Sequence, residues 1–116
     1  MGEESARGTE GLATDVEALK RRQAEAGRPY LEFLRADSMS AGLYVLGAGA
    51  ADLQMPHRQD EIYVVASGEG RFEMGGGAPV EVRAGTVLFV PAGMPHRFLD
   101  LRSELRVLVV FAPPEE

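Results

Sequence analysis

From Pro29 onward the chain is written in short runs of Val, Ile, Leu, Phe and Tyr, each cut off by Gly, Pro or Asp. Runs of this length with such punctuation read as β-strands, and close, regular spacing predicts a sandwich or jelly-roll barrel. The strands fall near 30–35, 42–47, 52–57, 61–67, 70–74, 79–83, 87–90, 95–100 and 105–112. Gly68-Glu69-Gly70, Gly75-Gly76-Gly77, Ala84-Gly85 and Pro91-Ala92-Gly93 are the turns between the later ones.

Several strands alternate apolar and polar residues, as a half-buried strand must. Phe72 and Met74 oppose Arg71 and Glu73, and Val80 and Val82 oppose Glu81 and Arg83. Tyr63, Phe72, Phe89 and Phe98 read as barrel filling, and Phe98 shares the parity of His96, which turns both toward the same pocket. Leu105 to Phe111 is apolar on both faces apart from Arg106. This strand is expected to be covered on both sides, with a partner subunit as one source of the second cover. Together with the edge at 29–35, it makes a homodimer the expected assembly.

The N-terminal part differs. Residues 1–13 are polar and glycine-rich and are expected to be a disordered tail. Thr14 followed by Glu17 forms a capping box, and Gly27 is a natural stop, so residues 14–27 are expected to hold a short helix. Its apolar stripe, Val16, Leu19, Ala24 and Ala26, is thin, so the helix must lean on something else. Residues 28–116 then make the barrel, and 116 residues suit one domain.

Composition excludes several classes of function. The net charge of −6 leaves no cationic footprint for nucleic acid. Lys20-Arg21-Arg22, flanked by Glu17 and Glu25, reads as a solvated helix face. No run approaches the roughly 20 apolar residues of a membrane span. With Glu3, Glu4 and Glu10 against Arg7, the first residues lack the basic start of a secretory leader, which makes the cytoplasm the expected location. Zero cysteines exclude disulfides, thiolate ligands and a thiol nucleophile.

The functional signal lies around the only two histidines. His57 ends one extended run and Glu61 begins the next, while His96 starts a strand after the Pro91-Ala92-Gly93 turn. Two imidazoles and a carboxylate, brought together in a barrel mouth, suit a divalent ion such as zinc, iron, manganese or nickel, with positions left open for a ligand.

These segments resemble the two motifs of the cupin superfamily. The first family motif runs Gly, five residues, His-x-His, three or four residues, Glu, six residues, Gly; Gly49, His57, Glu61 and Gly68 keep that spacing. The second runs Gly, five residues, Pro-x-Gly, two residues, His, three residues, Asn; Gly85, Pro91, Gly93 and His96 match it, with Asp100 in place of Asn. The resemblance is closest to small single-domain bacterial cupins. It implies an all-β double-stranded β-helix, the jelly-roll barrel of that family, and a mononuclear metal held by His57, Glu61 and His96.

The family's first histidine is Met55 here, so the fourth ligand of the resemblance is missing. Gln59, beside His57, either donates its amide oxygen to the metal or faces water. Met55, Tyr63 and Phe98 are expected to line the pocket. Arg97 should point away from the metal by alternation, and Asp100 is either a second-layer acceptor for a histidine or a turn residue.

The likeness allows dioxygenases, isomerases and decarboxylases, and the fold does not choose among them. The expected function is a metal-dependent enzyme acting on a small organic molecule. A non-catalytic module that binds a metal or small molecule, and a barrel whose site has decayed, stay open beside it.

Overall fold

A computed structural model describes residues 6–7, 10–52 and 56–115 of the chain. Among these residues nine strands and one helix follow in the order β1 (Ala6–Arg7), α1 (Val16–Ala26), β2 (Tyr30–Arg35), β3 (Ser40–Leu46), β4 (Asp60–Ser67), β5 (Gly70–Met74), β6 (Val80–Val82), β7 (Val87–Val90), β8 (His96–Leu99) and β9 (Leu105–Ala112). A six-stranded sheet in the order β1-β2-β3-β9-β4-β7 packs on a three-stranded sheet, β6-β5-β8. All pairings are antiparallel except β1 with β2, which runs parallel through Ala6 opposite Leu34 and Arg7 opposite Arg35. This is the jelly-roll barrel that the strand spacing predicts.

Alternation sorts the side chains. Along β4, Glu61, Tyr63 and Val65 are buried; along β9, Leu105, Val107, Val109 and Phe111 are; along β8, His96 and Phe98 are. With Tyr44, Leu46, Phe72, Val82, Leu88, Val90 and Leu101 they form the core between the sheets. Gly68 supports this closure: at φ 97 its backbone passes so near the Glu104 carbonyl that a Cβ would lie 2.3 Å from that oxygen.

Three sequence expectations are corrected. The helix cap falls one residue later than the Thr14 spacing predicts: Asp15, in extended conformation, accepts the Ala18 N–H at 2.8 Å. A carboxylate at that position also meets the positive end of the helix dipole. Glu17, relieved of the cap, instead pairs with Arg106 at 3.0 Å. No strand runs among the described residues of 52–57, because Asp52 turns its carboxylate to the Tyr44 hydroxyl and the Phe98 N–H, both at 2.8 Å. Phe89 is not barrel filling: Leu88 and Val90 take the inward positions of β7, which leaves Phe89 outward and 55% exposed. Part of the second cover of the long apolar strands comes from the chain itself. Leu19, with Val16 and Ala26, packs on Leu31, Leu43 and Val45, and Leu108 of β9 joins that cluster. The thin helix therefore finds its support, and β3 becomes buried on both faces.

The helix covers only one end of the sheet's outer face. On the β4–β7 end Ile62, Val87 and Phe89 stay exposed, with Ile62 directly opposite Phe89. Among the described residues no helix is long and apolar enough to cross a membrane.

Leu19 is 2% exposed at the centre of the helix–sheet contact. Leu19→Ala is expected to cost about 2–5 kcal/mol in denaturant unfolding, the usual range for emptying a packed leucine site. A loss within experimental error of zero would show that the helix is not part of the folding unit.

Candidate metal centre

Three side chains from two separate segments of the chain meet at one mouth of the barrel. Glu61 takes the first inward position of β4, His96 the first of β8, and His57 sits in the loop before β4. Their candidate ligand atoms all lie within 4.8 Å of one another, and no other such group of acidic, histidine or cysteine side chains occurs among the described residues. Backbone contacts hold the two motif loops together. The Gly93 N–H donates to the His57 carbonyl at 2.7 Å, and the Ala92 N–H donates to the Asp60 carboxylate at 2.8 Å.

The orientation of His96 follows from its neighbours. Its Nδ1 lies 2.9 Å from the Met94 carbonyl, which can only accept, so Nδ1 carries a hydrogen. Its Nε2 then faces Glu61 Oε1 at 2.9 Å and the Tyr63 hydroxyl at 3.1 Å. In a neutral ring this Nε2 is a lone pair that can accept the Tyr63 O–H while lying 2.9 Å from a carboxylate oxygen, a spacing that a cation would suit. The His57 ring stands edge-on to Phe111, centroids 4.9 Å apart, and 5.6 Å from the His96 ring.

Glu61 carries the chemical argument. It is 2% exposed, and neither carboxylate oxygen has a hydrogen bond among the described residues, the contact with His96 being an ion-pair distance only. Burying an uncompensated carboxylate costs several kcal/mol, so such a group is kept only where a cation or a proton meets it. Two imidazoles and a carboxylate are a donor set for a divalent transition ion. The residues present therefore fit the metal that the motif spacing implies.

The other expected site residues divide. Phe98 is buried against Tyr63 and Phe72, and Tyr63 does more than fill space, because its hydroxyl reaches His96. Gln59 is buried and lines a cavity of about 310 Å³ with Pro56, His57, Arg58 and Glu115. Met55 lies outside the described residues. Arg97 points away and pairs with Glu73 at 2.6 Å. Asp100 is an exposed turn residue at φ 53, 3.6 Å from Arg71, and not a partner of a histidine.

Three residues that the sequence does not mark also belong to the site. Tyr30 packs edge-on to Tyr44 and Phe111 over Gly42, where a Cβ would lie 2.3 Å from the Tyr30 hydroxyl oxygen. That hydroxyl is buried without a hydrogen-bond partner among the described residues. Burial and the charges of Glu115, Glu32 and Glu61 push its pKa far up, so it stays a proton donor. Asp52 braces β8 behind His96 through Phe98. Glu115, near the C-terminal end of the sequence, lies 3.2 Å from His57 Nδ1. Only Gly42, a glycine inside an apolar run, hints at any of them, as a sign of close approach.

Comparison with known proteins agrees with this geometry. The family model described as "Cupin domain" matches residues 42–111. An uncharacterized protein of Streptomyces coelicolor is 46% identical over 100 residues, 86% of this chain and 94% of that protein. The crystal structure of the DMSP lyase DddQ from Ruegeria pomeroyi superposes with a TM-score of 0.62 at 31% identity, covering 66% of this chain and 40% of the lyase, so the chain spans well under half of that protein. The BH2720 protein of Bacillus halodurans superposes with a TM-score of 0.74 at 21% identity, covering 94% of this chain and 86% of that one, a likeness of fold.

In the metal-free protein a proton can take the cation's place. Burial alone lowers the pKa of His96, but the Glu61 carboxylate, the Met94 carbonyl and the charge of Asp52 together raise it above the ordinary value. A raised folded-state pKa contributes stability that is fully present below about pH 6.5 and is lost as pH rises through the folded value. The melting temperature of metal-free protein is expected to fall as pH climbs through this window. Glu61→Gln should flatten the slope, and a wild-type profile that rises instead would remove the proton from between His96 and Glu61.

Proposed function

The chain belongs to the cupin domain family, and from that premise we propose that it is a metal-dependent enzyme acting on a small organic molecule. In this reading His57, Glu61 and His96 hold one divalent ion: zinc, iron, manganese or nickel. The observation that carries it is the buried Glu61 carboxylate, bare of hydrogen bonds and facing two imidazoles. Bound there, a divalent ion supplies Lewis acidity and open positions for a ligand.

The chain's own groups prepare the rest of the site. His96 is held by the Met94 carbonyl, and the Tyr63 hydroxyl sits against the same ring. Gln59 offers a further oxygen donor beside His57. The Tyr30 hydroxyl, with its ring against Tyr44 and Phe111, stays protonated. Likeness to a lyase supports catalysis over binding alone, but that protein's substrate does not transfer to a chain spanning 40% of it.

Metal analysis tests the centre directly. Protein purified without an immobilised-nickel step and reconstituted with zinc, iron(II), manganese or nickel is expected to hold one ion per chain. His57→Ala and His96→Ala should each lose it while keeping the barrel's circular dichroism. Undiminished stoichiometry in the double variant would end the assignment. Oxygen uptake and isomerisation assays on small carbonyl and carboxylate compounds then test turnover; one bound ion without turnover favours the non-catalytic module.

We also propose that a second copy of the chain covers the β4–β7 end of the sheet. β7 is an edge strand whose outward side chains, Val87 and Phe89, are more than half exposed beside Ile62, and an apolar edge of this kind invites symmetric pairing. Sedimentation is expected to give twice the chain's 12.5 kDa, and Phe89→Glu should give the monomer. A wild-type monomer at micromolar concentration would refute the pairing.

A further inference from the structure

Each imidazole of the metal centre is held from behind through its Nδ1. For His96 the holder is the Met94 carbonyl at 2.9 Å. For His57 it is Glu115, whose Oε2 lies 3.2 Å from Nδ1. Metal-ligating histidines generally give their second ring N–H to an acceptor, which fixes the tautomer and sharpens the ligating lone pair.

The approach of Glu115 is built rather than incidental. Its backbone N–H donates to Ser40 Oγ at 2.9 Å, and its carbonyl accepts from the Arg35 guanidinium. Ser40 is fully buried and stands opposite Phe111 in the β3–β9 ladder, and Phe111 is in turn opposite Glu61 in the β9–β4 ladder. The Phe111 ring backs the His57 imidazole. The tail is thus tied to the same row of the sheet that carries Glu61, and its carboxylate, 27% exposed, forms part of the cavity wall beside His57.

From these contacts we infer that Glu115 is a positioning residue of the metal centre: its carboxylate accepts the Nδ1 proton of His57 and so reserves Nε2 for the metal. The inference rests on the metal-binding reading above. The two histidines are then unequal, His96 backed by a neutral carbonyl and His57 by a charged carboxylate. His57 sits on a loop, whereas His96 is on a strand, so His57 is the ring that needs the stronger hold.

The test uses the full chain and three variants, Glu115→Gln, Glu115→Ala and Ser40→Ala. Zinc affinity is read by competition with a chromophoric chelator, and the His57 tautomer by ring ¹⁵N shifts of metal-free protein at alkaline pH. Wild type should show His57 protonated on Nδ1. Glu115→Ala should lose that preference and weaken zinc binding on the order of tenfold, the lower end for such outer partners. Glu115→Gln, which keeps an acceptor oxygen, should retain the tautomer with a smaller loss of affinity. Ser40→Ala, which frees the tail's anchor, should move both readouts in the direction of Glu115→Ala. A purely structural role would shift the melting temperature and leave the tautomer unmoved. Zinc-binding wild type with an unchanged tautomer and affinity in Glu115→Ala overturns the inference alone. Wild type that binds none of zinc, manganese, iron(II) or nickel overturns the metal reading, and this inference with it.

Discussion

Strand β9 is the element on which the site hangs, because it pairs along its whole length with β3 on one side and β4 on the other. Ladder pairing comes in steps of one residue, and a one-residue slip would turn every side chain of a strand to the opposite face. The apolar inward set of β9, Leu105, Val107, Val109 and Phe111, fixes that register by burial. Once it is fixed, Ser40, Phe111, Glu61 and Val90 stand abreast across four strands. Glu61 is thereby carried into the core by its neighbours' hydrophobicity, at a position its own charge would not choose.

That is the tension at the centre of the molecule. A carboxylate at 2% exposure with no hydrogen bond would be ejected or neutralised if nothing met it. The loops bring what it needs: His96 through the turn after β7, and His57 through the segment joined to that turn by the Gly93–His57 and Ala92–Asp60 hydrogen bonds. Polar groups around the mouth then hold the two rings. Met94, Tyr63 and Glu115 each touch an imidazole, and Asp52 braces the strand that carries His96.

The helix shows a second use of the same constraint. A short helix with few apolar residues is marginal alone, and the outer face of β3 is costly if left wet. Leu19 against Leu31, Leu43 and Val45 resolves both at once. What it does not reach, Ile62, Val87 and Phe89, stays exposed.

Period-two alternation is a local property of extended backbone, so most of the strands, the shared parity of His96 and Phe98 and the outward parity of Arg97 are readable from residue order alone, whereas 52–57 carries the pattern with no strand among its described residues. The spacing of Gly49, His57, Glu61 and Gly68, and of Gly85, Pro91, Gly93 and His96, carries the likeness to cupins, and it is that likeness which implies His57, Glu61 and His96 as a donor set. Phe89 was misread because an aromatic residue in an apolar run carries no mark of which face it takes until its neighbours' burial is known. Tyr30, Asp52 and Glu115 were invisible, and so was the helix as the cover of β3. Glu115 meets His57 across 58 residues of chain, a proximity that exists only after β3, β9 and β4 have paired. Residue order decides which side of a strand a group occupies, but contact between distant groups is decided by strand pairing and packing, which depend on the burial of the whole core.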